Sequence, residues 1–338
     1  MFDPHRVGQD LDQARRTFGG RNWPKTFSDR LTSPLPGGWD VVRMLREMPN
    51  GRALADVARI PVTPRAALPP AEPGTTDVTW IGHATFVVRI GGLTILTDPV
   101  WSRRIPGVRP RLTPPGVPLD GIGRIDAVVI SHNHYDHLDA PTIRRLPRDV
   151  PVFVPAMLGW WFRRRNFRQV IELDWWESVP LGEVDVDFVP AHHWSRRTLT
   201  DTCKSLWGGW IFTARRDSAV GYADTRVYFA GDTGYGHWFT DIGARYPGID
   251  LALMPVGAYE PNWFMKPVHM NPQEAVRACD DLGARRMATM HWGTFLLSAE
   301  PLLDPVDTAV EAWTAAGRSR DDLWDLAVGE SRALPPAG

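Results

Sequence analysis

The sequence predicts an α/β protein in which helices cover β-sheets, rather than a closed all-β barrel. Short apolar segments rich in β-branched residues recur from residue 78 onward, and each ends at glycine, proline or a polar cluster, as buried strands do. Segments with helical periodicity lie between several of them. With 338 residues, of which 43% are apolar, the chain is long enough for one large α/β body with an extension.

The first 75 residues differ from the rest of the chain. They contain the proline-rich stretches "SPLPGG" and "IPVTPRAALPPAEPG" and few β-branched runs. The segment "WDVVRMLREM" predicts one short amphipathic helix in which Val41, Leu45 and Met48 share a face. We predict an N-terminal extension, residues 1–75, that packs on a main domain of residues 76–338.

The strands of the main domain begin with a predicted hairpin. The stretch "VTWIGHATFVVRIGGLTILTDP" contains two apolar runs separated by Gly91 and Gly92, which is a hairpin pattern. Six later segments are predicted to be strands: "IDAVVIS", "VPVFVP", "VDVDFVPA", "RVYFAGD", "DLALMPVG" and "RMATMHWG".

Helices are predicted between several of these strands. The helical segments are "APTIRRLP", "PAMLGWWFRRR", "FTDIGARY", "NPQEAVRACDDLG" and "DPVDTAVEAWTAAG". The spacing of Asn271 and Glu274, and that of Asp304 and Asp307, is typical of caps at a helix N-terminus. Helices and strands therefore alternate through most of the main domain.

Composition excludes several classes of protein. Lys and Arg number 38 against 39 Asp and Glu, for a net charge of −1, so no global field attracts nucleic acid or anionic lipid and we predict no nucleic-acid partner. Cys203 and Cys279 are the only cysteines and suit a reducing compartment. No segment has the roughly 18 consecutive apolar residues of a spanning helix, and the N-terminus has no apolar export signal. A cytoplasmic location is predicted.

Tryptophan is unusually abundant. The 16 Trp residues include the doublets Trp160-Trp161 and Trp175-Trp176. A Trp ring can anchor at a bilayer interface or fill a large core with polar neighbours. Because these residues are scattered rather than aligned on one amphipathic helix, the core interpretation is favoured.

The segment "ISHNHYDHLD" contains the strongest chemical signal in the sequence. His132, His134, Asp136 and His137 lie within six residues, directly after the apolar run "IDAVVIS". Three imidazoles and a carboxylate at the end of a buried strand are a poor choice for packing. They are a good choice for holding a metal ion.

Other candidate ligands follow other predicted strands. His192 and His193 follow "DFVPA", Asp232 follows "VYFAG" and His291 follows "MATM". Functional groups are often placed on loops at strand ends because the rigid sheet fixes them there. Four strand ends that deliver nitrogen and oxygen ligands to one rim predict a metal site.

The ligand types indicate which metals fit and how many. Imidazole and carboxylate ligands without thiolates suit Zn²⁺, with Fe and Mn as alternatives. A tight turn cannot direct all four ligands of "HNHYDH" at one ion and leave an open position, so two ions are predicted. The first would be held by His132, His134 and His193, and the second by Asp136, His137 and His291, with Asp232 bridging. Two ions about 3.5–4 Å apart that share a hydroxide are typical of hydrolases.

Three further residues stay open on spacing alone. His192 remains an alternative ligand to His193. Asp98, in "ILTDP", is either a turn former before proline or a partner that orients a metal-binding histidine. His83, in "WIGHAT", has the same two interpretations.

The motifs identify a family by resemblance. The segment "SHNHYDHLD" resembles the H-x-H-x-D-H signature of the metallo-β-lactamase superfamily, whose fold is an αββα sandwich with a two-metal site. A closer resemblance, to the N-acyl-phosphatidylethanolamine-hydrolysing phospholipase D family, covers nearly all of residues 78–332. It rests on "WIGHAT", "LTDPVWS", "IELDWWE", "HHWSRRTLTD", "FAGDTGY", "MPVGAYEPNWFMKPVHMNPQEAV", "MHWGTF" and "GESR".

The resemblance implies roles for individual residues. The first zinc would be held by His132, His134, His193 and Asp232. The second would be held by Asp136, His137, Asp232 and His291. The family's "HW" pair selects His193 over His192, and a family histidine implicated in catalysis matches His269 in "KPVHMNP". The predicted catalytic residues are Asp136, Asp232 and His269.

The family's activity defines the expected function. Its members hydrolyse the phosphodiester bond distal to the diacylglycerol, giving phosphatidic acid and an N-acylethanolamine. The resemblance therefore implies a phospholipid or other phosphodiester substrate, peripheral contact with membranes and a homodimer. An apolar entrance formed by Trp263, Phe264 and Met265 would suit acyl chains, although ordinary packing explains the same residues.

Two other functions compete with this expectation. The same metal site could hydrolyse a lactone, an amide or a cyclic phosphate, because fold does not fix substrate. A non-catalytic metal-binding or scaffold protein would be marked by lost ligands. All seven ligands are present, which disfavours that interpretation.

Overall fold

The computed structural model describes residues 3–47, 56–215 and 224–335. The strands in these ranges are β1 (Asp77–Gly82), β2 (Thr85–Ile90), β3 (Leu93–Thr97), β4 (Ala127–Val129), β5 (Val152–Pro155), β6 (Val170–Leu173), β7 (Glu177–Leu181), β8 (Val184–Val189), β9 (Gly209–Ala214), β10 (Thr225–Phe229), β11 (Leu251–Pro255), β12 (Met287–Met290), β13 (Leu323–Trp324) and β14 (Ser331–Ala333). The α-helices are α1 (Pro4–Phe18), α2 (Gly38–Glu47), α3 (Ala140–Arg145), α4 (Gly159–Arg163), α5 (Trp238–Arg245), α6 (Asn262–Met265), α7 (Pro272–Asp281) and α8 (Asp304–Ala315).

The strands form two mixed sheets of seven strands each. The first has the order β14-β1-β2-β3-β4-β5-β6 and the second the order β13-β12-β11-β10-β9-β8-β7. In each sheet antiparallel neighbours lie toward one end, as in β1-β2-β3 and β7-β8-β9-β10, and parallel neighbours lie beside them, as in β3-β4-β5-β6 and β10-β11-β12-β13.

The hydrophobic core shows that the two sheets pack face to face. Trp80 and Phe86 of the first sheet share one cluster of buried side chains with Phe212 of the second. Ile81 and Val87, the next residues along the same strands, belong to a separate cluster with side chains of α3 and α4. This alternation is expected because successive side chains of a strand point to opposite faces. Buried side chains of α7 and α8 join the first cluster, so the layers are helix, sheet, sheet and helix, as predicted.

Most tryptophans of the core satisfy their ring N–H inside it. Trp80, Trp207 and Trp210 are fully buried. The Nε1 of Trp210 donates to the carbonyl of Ile130 at 3.0 Å, and that of Trp80 donates to the carbonyl of His83 at 2.8 Å. The core interpretation is therefore confirmed for these residues, because a buried indole needs an acceptor. Trp160, by contrast, is 51% exposed.

The hairpin predicted at Gly91 and Gly92 is confirmed, but the run before it was read wrongly as one strand. β2 pairs with β3 across these two glycines. The apolar run from Val78 to Ile90 reverses at Gly82 and His83, so that β1 and β2 are antiparallel neighbours. This turn is hard to predict from the sequence because its residues are buried and Gly82 is its only turn-forming residue.

The two predicted helix caps differ in outcome. Asn271 and Glu274 form a capping box at the start of α7, in which each side chain accepts a hydrogen bond from the backbone N–H of the other. The cap predicted at Asp304 is wrong. Leu303 occupies the cap position, and the Asp304 carboxylate instead accepts a hydrogen bond from the Tyr259 hydroxyl.

The N-terminal segment contributes to the core of the main body. Helix α1, which the sequence did not predict, packs against β6 and β7 and buries Leu11 and Ala14. The predicted helix α2 is present, but it buries no residue, and Leu45 is 61% exposed. Met48, predicted on the same face, lies outside the described residues. The division after residue 75 stays a prediction. None of the helices in the described ranges is long and apolar enough to cross a membrane.

Candidate metal centre

The predicted ligands lie at the carboxyl ends of strands from both sheets. The segment from His132 to His137 follows β4 of the first sheet. His193, Asp232 and His291 follow β8, β10 and β12, which run in the same direction in the second sheet. The facing sheets therefore bring these loops together at one edge of the sandwich, as the sequence analysis expects.

Three imidazoles form the first half of the cluster, called here the imidazole triad. His132 Nε2 lies 2.8 Å from His134 Nδ1, which lies 3.3 Å from His193 Nε2. Asp232 Oδ2 lies 3.9 Å from His132 Nε2 and 4.0 Å from His193 Nε2. The four side chains surround one position.

Asp136, His137 and His291 form the second half, called here the mixed triad. Asp136 Oδ2 lies 3.5 Å from His137 Nε2 and 3.6 Å from His291 Nε2. Asp232 directs Oδ2 at His137 Nε2 and Oδ1 at His291 Nε2, each at 3.1 Å. The Asp232 carboxylate thus stands between the two triads, where a shared ligand would lie.

The donor atoms fit a cation. Within the described part of the chain, the buried atoms His137 Nε2, His291 Nε2 and Asp232 Oδ1 make ion-pair contacts of 3.1 Å without good hydrogen-bond geometry, so a bound cation would satisfy them better. Ligands of a tetrahedral zinc ion are about 3.4 Å apart, close to the separations in both triads. Nitrogen and oxygen donors without sulfur suit Zn²⁺, and they also suit Fe and Mn.

Outer hydrogen bonds fix the rings. Asp98, fully buried, accepts from His137 Nδ1 at 2.7 Å and from the backbone N–H of Ser131 at 2.7 Å. The Ser131 hydroxyl lies 2.9 Å from His132 Nδ1, and the Val268 carbonyl accepts from His193 Nδ1 at 3.0 Å. These bonds leave each Nε2 facing the cluster, which favours the orienting interpretation of Asp98.

Burial sets the protonation of the imidazole triad. Loss of hydration lowers the pKa of His132 and His193 well below the usual range and that of His134 to about 4. The neighbouring imidazoles of the triad lower the pKa of His132 further. The three rings are therefore neutral at pH 7, the form that binds a metal ion.

Carboxylates reverse this effect in the mixed triad. Burial opposes the charged form of His291, but Asp232 and Asp136 raise its pKa to about 9. The same carboxylates raise the pKa of His137 well above its ordinary value against the cost of burial. Burial would raise the pKa of Asp136 and Asp232, yet His137 and His291 hold it well below the usual range. In the metal-free protein these groups neutralise one another.

His269 and His192 occupy different places. The His269 ring lies 5.2 Å from that of His193 and 5.5 Å from that of His291, so it borders the cluster. Burial lowers its pKa to about 4, although Asp232 opposes this shift. His192 Nδ1 lies 2.8 Å from the Thr32 hydroxyl, and its ring faces away from the cluster toward His237.

Arg197 lies beside the imidazole triad and was not predicted from the sequence. Its guanidinium lies 4.1 Å from the centre of the Tyr135 ring and donates to the Asn133 carbonyl at 3.1 Å. Its positive charge helps to lower the pKa of His134. Arg197 stands in the loop "SRRTLTD", where neither periodicity nor ligand spacing distinguishes it from other loop arginines.

Comparisons with known proteins identify the family. Residues 94–292 match the β-lactamase superfamily domain. The chain belongs to the β-lactamase superfamily. A relative from Mycobacterium tuberculosis, named as an uncharacterized protein, is 41% identical over 270 residues, or 74% of this chain and 69% of the relative. The N-acyl-phosphatidylethanolamine-hydrolyzing phospholipase D 1 of Caenorhabditis elegans is 38% identical over 266 residues, or 73% of this chain and 71% of that protein.

The structural comparison supports the fold. The metallo-β-lactamase fold protein YhfI of Bacillus subtilis superposes with a TM-score of 0.53 and 17% identity over 77% of this chain and all of that one. The αββα sandwich and the resemblance to the phospholipase D family are confirmed. The comparisons and the His/Asp cluster together support a metal-dependent hydrolase of this superfamily.

Proposed function

We propose that the protein is a di-zinc phosphodiesterase of the phospholipase D type. Its substrate would be N-acyl-phosphatidylethanolamine or a related phospholipid, and its products phosphatidic acid and an N-acylethanolamine. The convergence of six proposed ligands from three loops around the seventh, Asp232, carries the proposal. The activity named for the relative from Caenorhabditis elegans supports the choice of substrate.

The two triads divide the proposed ligands. The imidazole triad and Asp232 would hold one zinc ion, and the mixed triad and Asp232 the other. Bound there, the ions would supply a Lewis acid for the phosphoryl oxygens and would acidify a water molecule at neutral pH. The carboxylates of Asp136 and Asp232 would accept hydrogen bonds from that water and orient it.

Arg197 and His269 would act on the substrate directly. Arg197 supplies a positive charge beside the imidazole triad, on a chain whose net charge is −1, so it would attract the phosphate group. His269 is a neutral imidazole at pH 7. Its N–H would donate to the leaving oxygen, and the charge of the substrate would raise its pKa enough to protonate the departing alkoxide.

The first experiment links bound metal to catalysis. His134→Ala and Asp232→Ala are compared with wild type for zinc content by mass spectrometry and for release of N-acylethanolamine from mixed vesicles. Turnover of bis-p-nitrophenyl phosphate is measured in parallel. His192→Ala is the matched control, because this imidazole neighbours His193 but faces Thr32. Both ligand variants should lose zinc and activity, and the control should keep both.

A lactone panel distinguishes the competing hydrolase. Turnover of lactones without turnover of either phosphodiester would replace the proposed substrate with another ester on the same site. Full activity in a variant that has lost its metal would contradict the two-metal mechanism. Iron or manganese in place of zinc would change the identity of the cofactor and leave the ligand assignment intact.

Peripheral contact with membranes is the proposed route to a phospholipid. Trp263 on α6 is 38% exposed, while Met265 is buried in the core and is no candidate for acyl contact. The Trp263 Nε1 donates to Glu47 of α2 at 2.9 Å, and the Arg43 guanidinium lies 4.0 Å from the centre of the Trp263 ring, so α2 lies against this exposed indole. Co-sedimentation with liposomes should weaken in Trp263→Ala and stay unchanged in Leu199→Ala, another exposed apolar residue. The homodimer and the cytoplasmic location stay predictions.

A further inference from the structure

The turn between β1 and β2 places a histidine against the metal centre. His83 follows Gly82 at the strand reversal and has a φ of +57°, in the left-handed region that few residues other than glycine adopt. A Cβ on Gly82 would lie 2.9 Å from Nη2 of Arg111 and 3.1 Å from Oγ1 of Thr294. The chain therefore reverses in a space that is closely packed on both sides.

The backbone of His83 is held by three hydrogen bonds. Its N–H donates to Thr294 Oγ1 at 2.8 Å. Its carbonyl accepts from Trp80 Nε1 at 2.8 Å and from the backbone N–H of His291 at 3.2 Å. A strained conformation persists only where its surroundings determine it in this way. One of the three bonds ends on a proposed metal ligand, His291.

The side chain of His83 reaches a second proposed ligand. Its Nε2 lies 3.0 Å from Asp136 Oδ2, and its ring lies 4.1 Å from that of His291 and 5.2 Å from that of Phe295. The residue is 1% exposed. His83, Asp136, His137 and His291 each place one donor atom within 4.8 Å of the others.

Hydrogen-bond chemistry fixes the direction of the contact with Asp136. A neutral imidazole has one N–H, on either Nδ1 or Nε2. The Nδ1 of His83 is buried without a partner in the described part of the chain. A bare Nε2 lone pair would repel the Asp136 carboxylate, so the N–H belongs on Nε2 and donates to Oδ2.

We propose that His83 is a positioning residue for the mixed triad. Its side chain holds the carboxylate of Asp136 and its carbonyl holds the backbone of His291, so that one residue sets the distance between two ligands of the second ion. This inference rests on the proposed two-metal site, and it adds an eighth residue that acts through two of the seven ligands. It predicts selective loss of the second zinc equivalent rather than general loss of structure.

His83→Asn and His83→Gln test the proposal. Asparagine tolerates the left-handed backbone but is too short to reach Asp136, whereas glutamine carries an amide N–H farther out. Metal-free protein is titrated with zinc against a chromophoric chelator to obtain two dissociation constants. His83→Asn should weaken the binding of the second zinc equivalent by about 10- to 100-fold and leave the binding of the first unchanged. His83→Gln should recover part of this loss.

His192→Asn is the matched control, because it removes another buried imidazole that contacts no proposed ligand side chain. It should bind both equivalents as wild type does. Two unchanged constants in His83→Asn would overturn the positioning role, and so would a His83→Gln variant no better than His83→Asn. If His83→Asn does not fold, His83→Gln decides: the proposal requires its second equivalent to bind within tenfold of wild type. A wild-type protein that binds no zinc would refute the proposed function itself.

Discussion

The two triads of the metal centre present the same ligand count in opposite electrostatic states. The imidazole triad is neutral, because burial lowers the pKa of its histidines. The mixed triad is charged but compensated, because Asp136 and Asp232 raise the pKa of His137 and His291. A cation entering the imidazole triad meets neutral rings, whereas one entering the mixed triad must displace the charges of two protonated rings.

Because of this difference, we expect zinc binding to release protons only from the mixed triad. Metal ligands must be deprotonated to bind, so affinity depends on pH wherever a ligand carries a proton. At pH 7 His137 and His291 carry protons in the metal-free protein, and the imidazole triad does not. Zinc binding to the mixed triad should therefore release protons and strengthen steeply with rising pH.

Replacing Asp232, the proposed ligand of both ions, should cause the largest loss of bound zinc and of turnover. Asp232→Ala removes the ligand that both proposed ions would share, and it removes the carboxylate that lies 3.1 Å from the Nε2 atoms of His137 and His291. Zinc content should fall for both equivalents, and turnover should drop by more than the roughly 10- to 100-fold cost of changing an outer partner. Metal analysis with phosphodiester turnover measures both. Asp187→Asn, on β8 away from the ligands, is the control, and retention of one full zinc equivalent in Asp232→Ala would show that Asp232 is not shared.

The sequence predicted most of the candidate site because the proposed ligands are either contiguous or placed at strand ends. Four of the proposed ligands lie within the six residues of "HNHYDH", which makes them easy to recognise. His193, Asp232 and His291 each follow an apolar strand, and parallel strand directions bring such positions to one edge. Spacing could not separate His192 from His193, because both follow β8 directly and only the structure shows that the His192 ring faces Thr32 and His237.

What the sequence could not show is the set of contacts around the ligands. His83 became a neighbour of Asp136 only through an unforeseen strand reversal in a fully buried run. Arg197 depends on its packing over Tyr135 rather than on any pattern along the chain. The same limit applies to the fold, since α1, the interior strand β9 and several edge strands were not predicted. Their apolar faces are set by packing against sheets formed elsewhere in the chain.

Asp98→Asn should weaken zinc binding at the mixed triad and leave zinc binding at the imidazole triad nearly unchanged. Asp98 accepts a hydrogen bond from His137 Nδ1 and helps to direct Nε2 toward the metal position. Asparagine offers a weaker acceptor, and its amide N–H can face the ring instead. The second zinc equivalent should weaken by about 10- to 100-fold, while the first changes little. Competition titration measures the two constants, and equal losses in both would contradict the separation of the triads.

The stability of the metal-free protein should respond to pH in opposite directions for the two halves. His134 has a folded pKa of about 4, below its ordinary value of 6.5, so the unfolded chain binds more protons between these values and acidification through this window destabilises the fold. His291 has a folded pKa of about 9. The contribution of His291 to the free energy of unfolding, roughly 3 kcal/mol, is fully present below pH 6.5 and is lost as pH rises through 9.

Thermal unfolding of chelator-treated protein between pH 4 and 9.5 measures how stability falls toward acid pH, the acid limb, and toward alkaline pH, the alkaline limb. His134→Asn should flatten the acid limb and leave the alkaline one, and His291→Asn should do the reverse. Added zinc should reduce the alkaline loss, because metal-bound imidazoles no longer titrate. An identical pH profile in the two variants would break the electrostatic distinction between the triads.

Replacing Ser131 should cause the smallest loss of zinc affinity. This residue contacts both His132 of the imidazole triad and Asp98, the partner of His137. Its hydroxyl donates to Asp98 Oδ2 at 2.5 Å and therefore has only a lone pair to offer His132 Nδ1, 2.9 Å away. Ser131→Ala removes an outer partner of the imidazole triad and one support of Asp98, which retains the Ser131 backbone N–H and His137. The loss should be about 1 kcal/mol, seen in titration as a few-fold weakening of both zinc equivalents. A loss confined to the first equivalent would show that Asp98 needs no support from the hydroxyl, and that the triads are independent beyond Asp232.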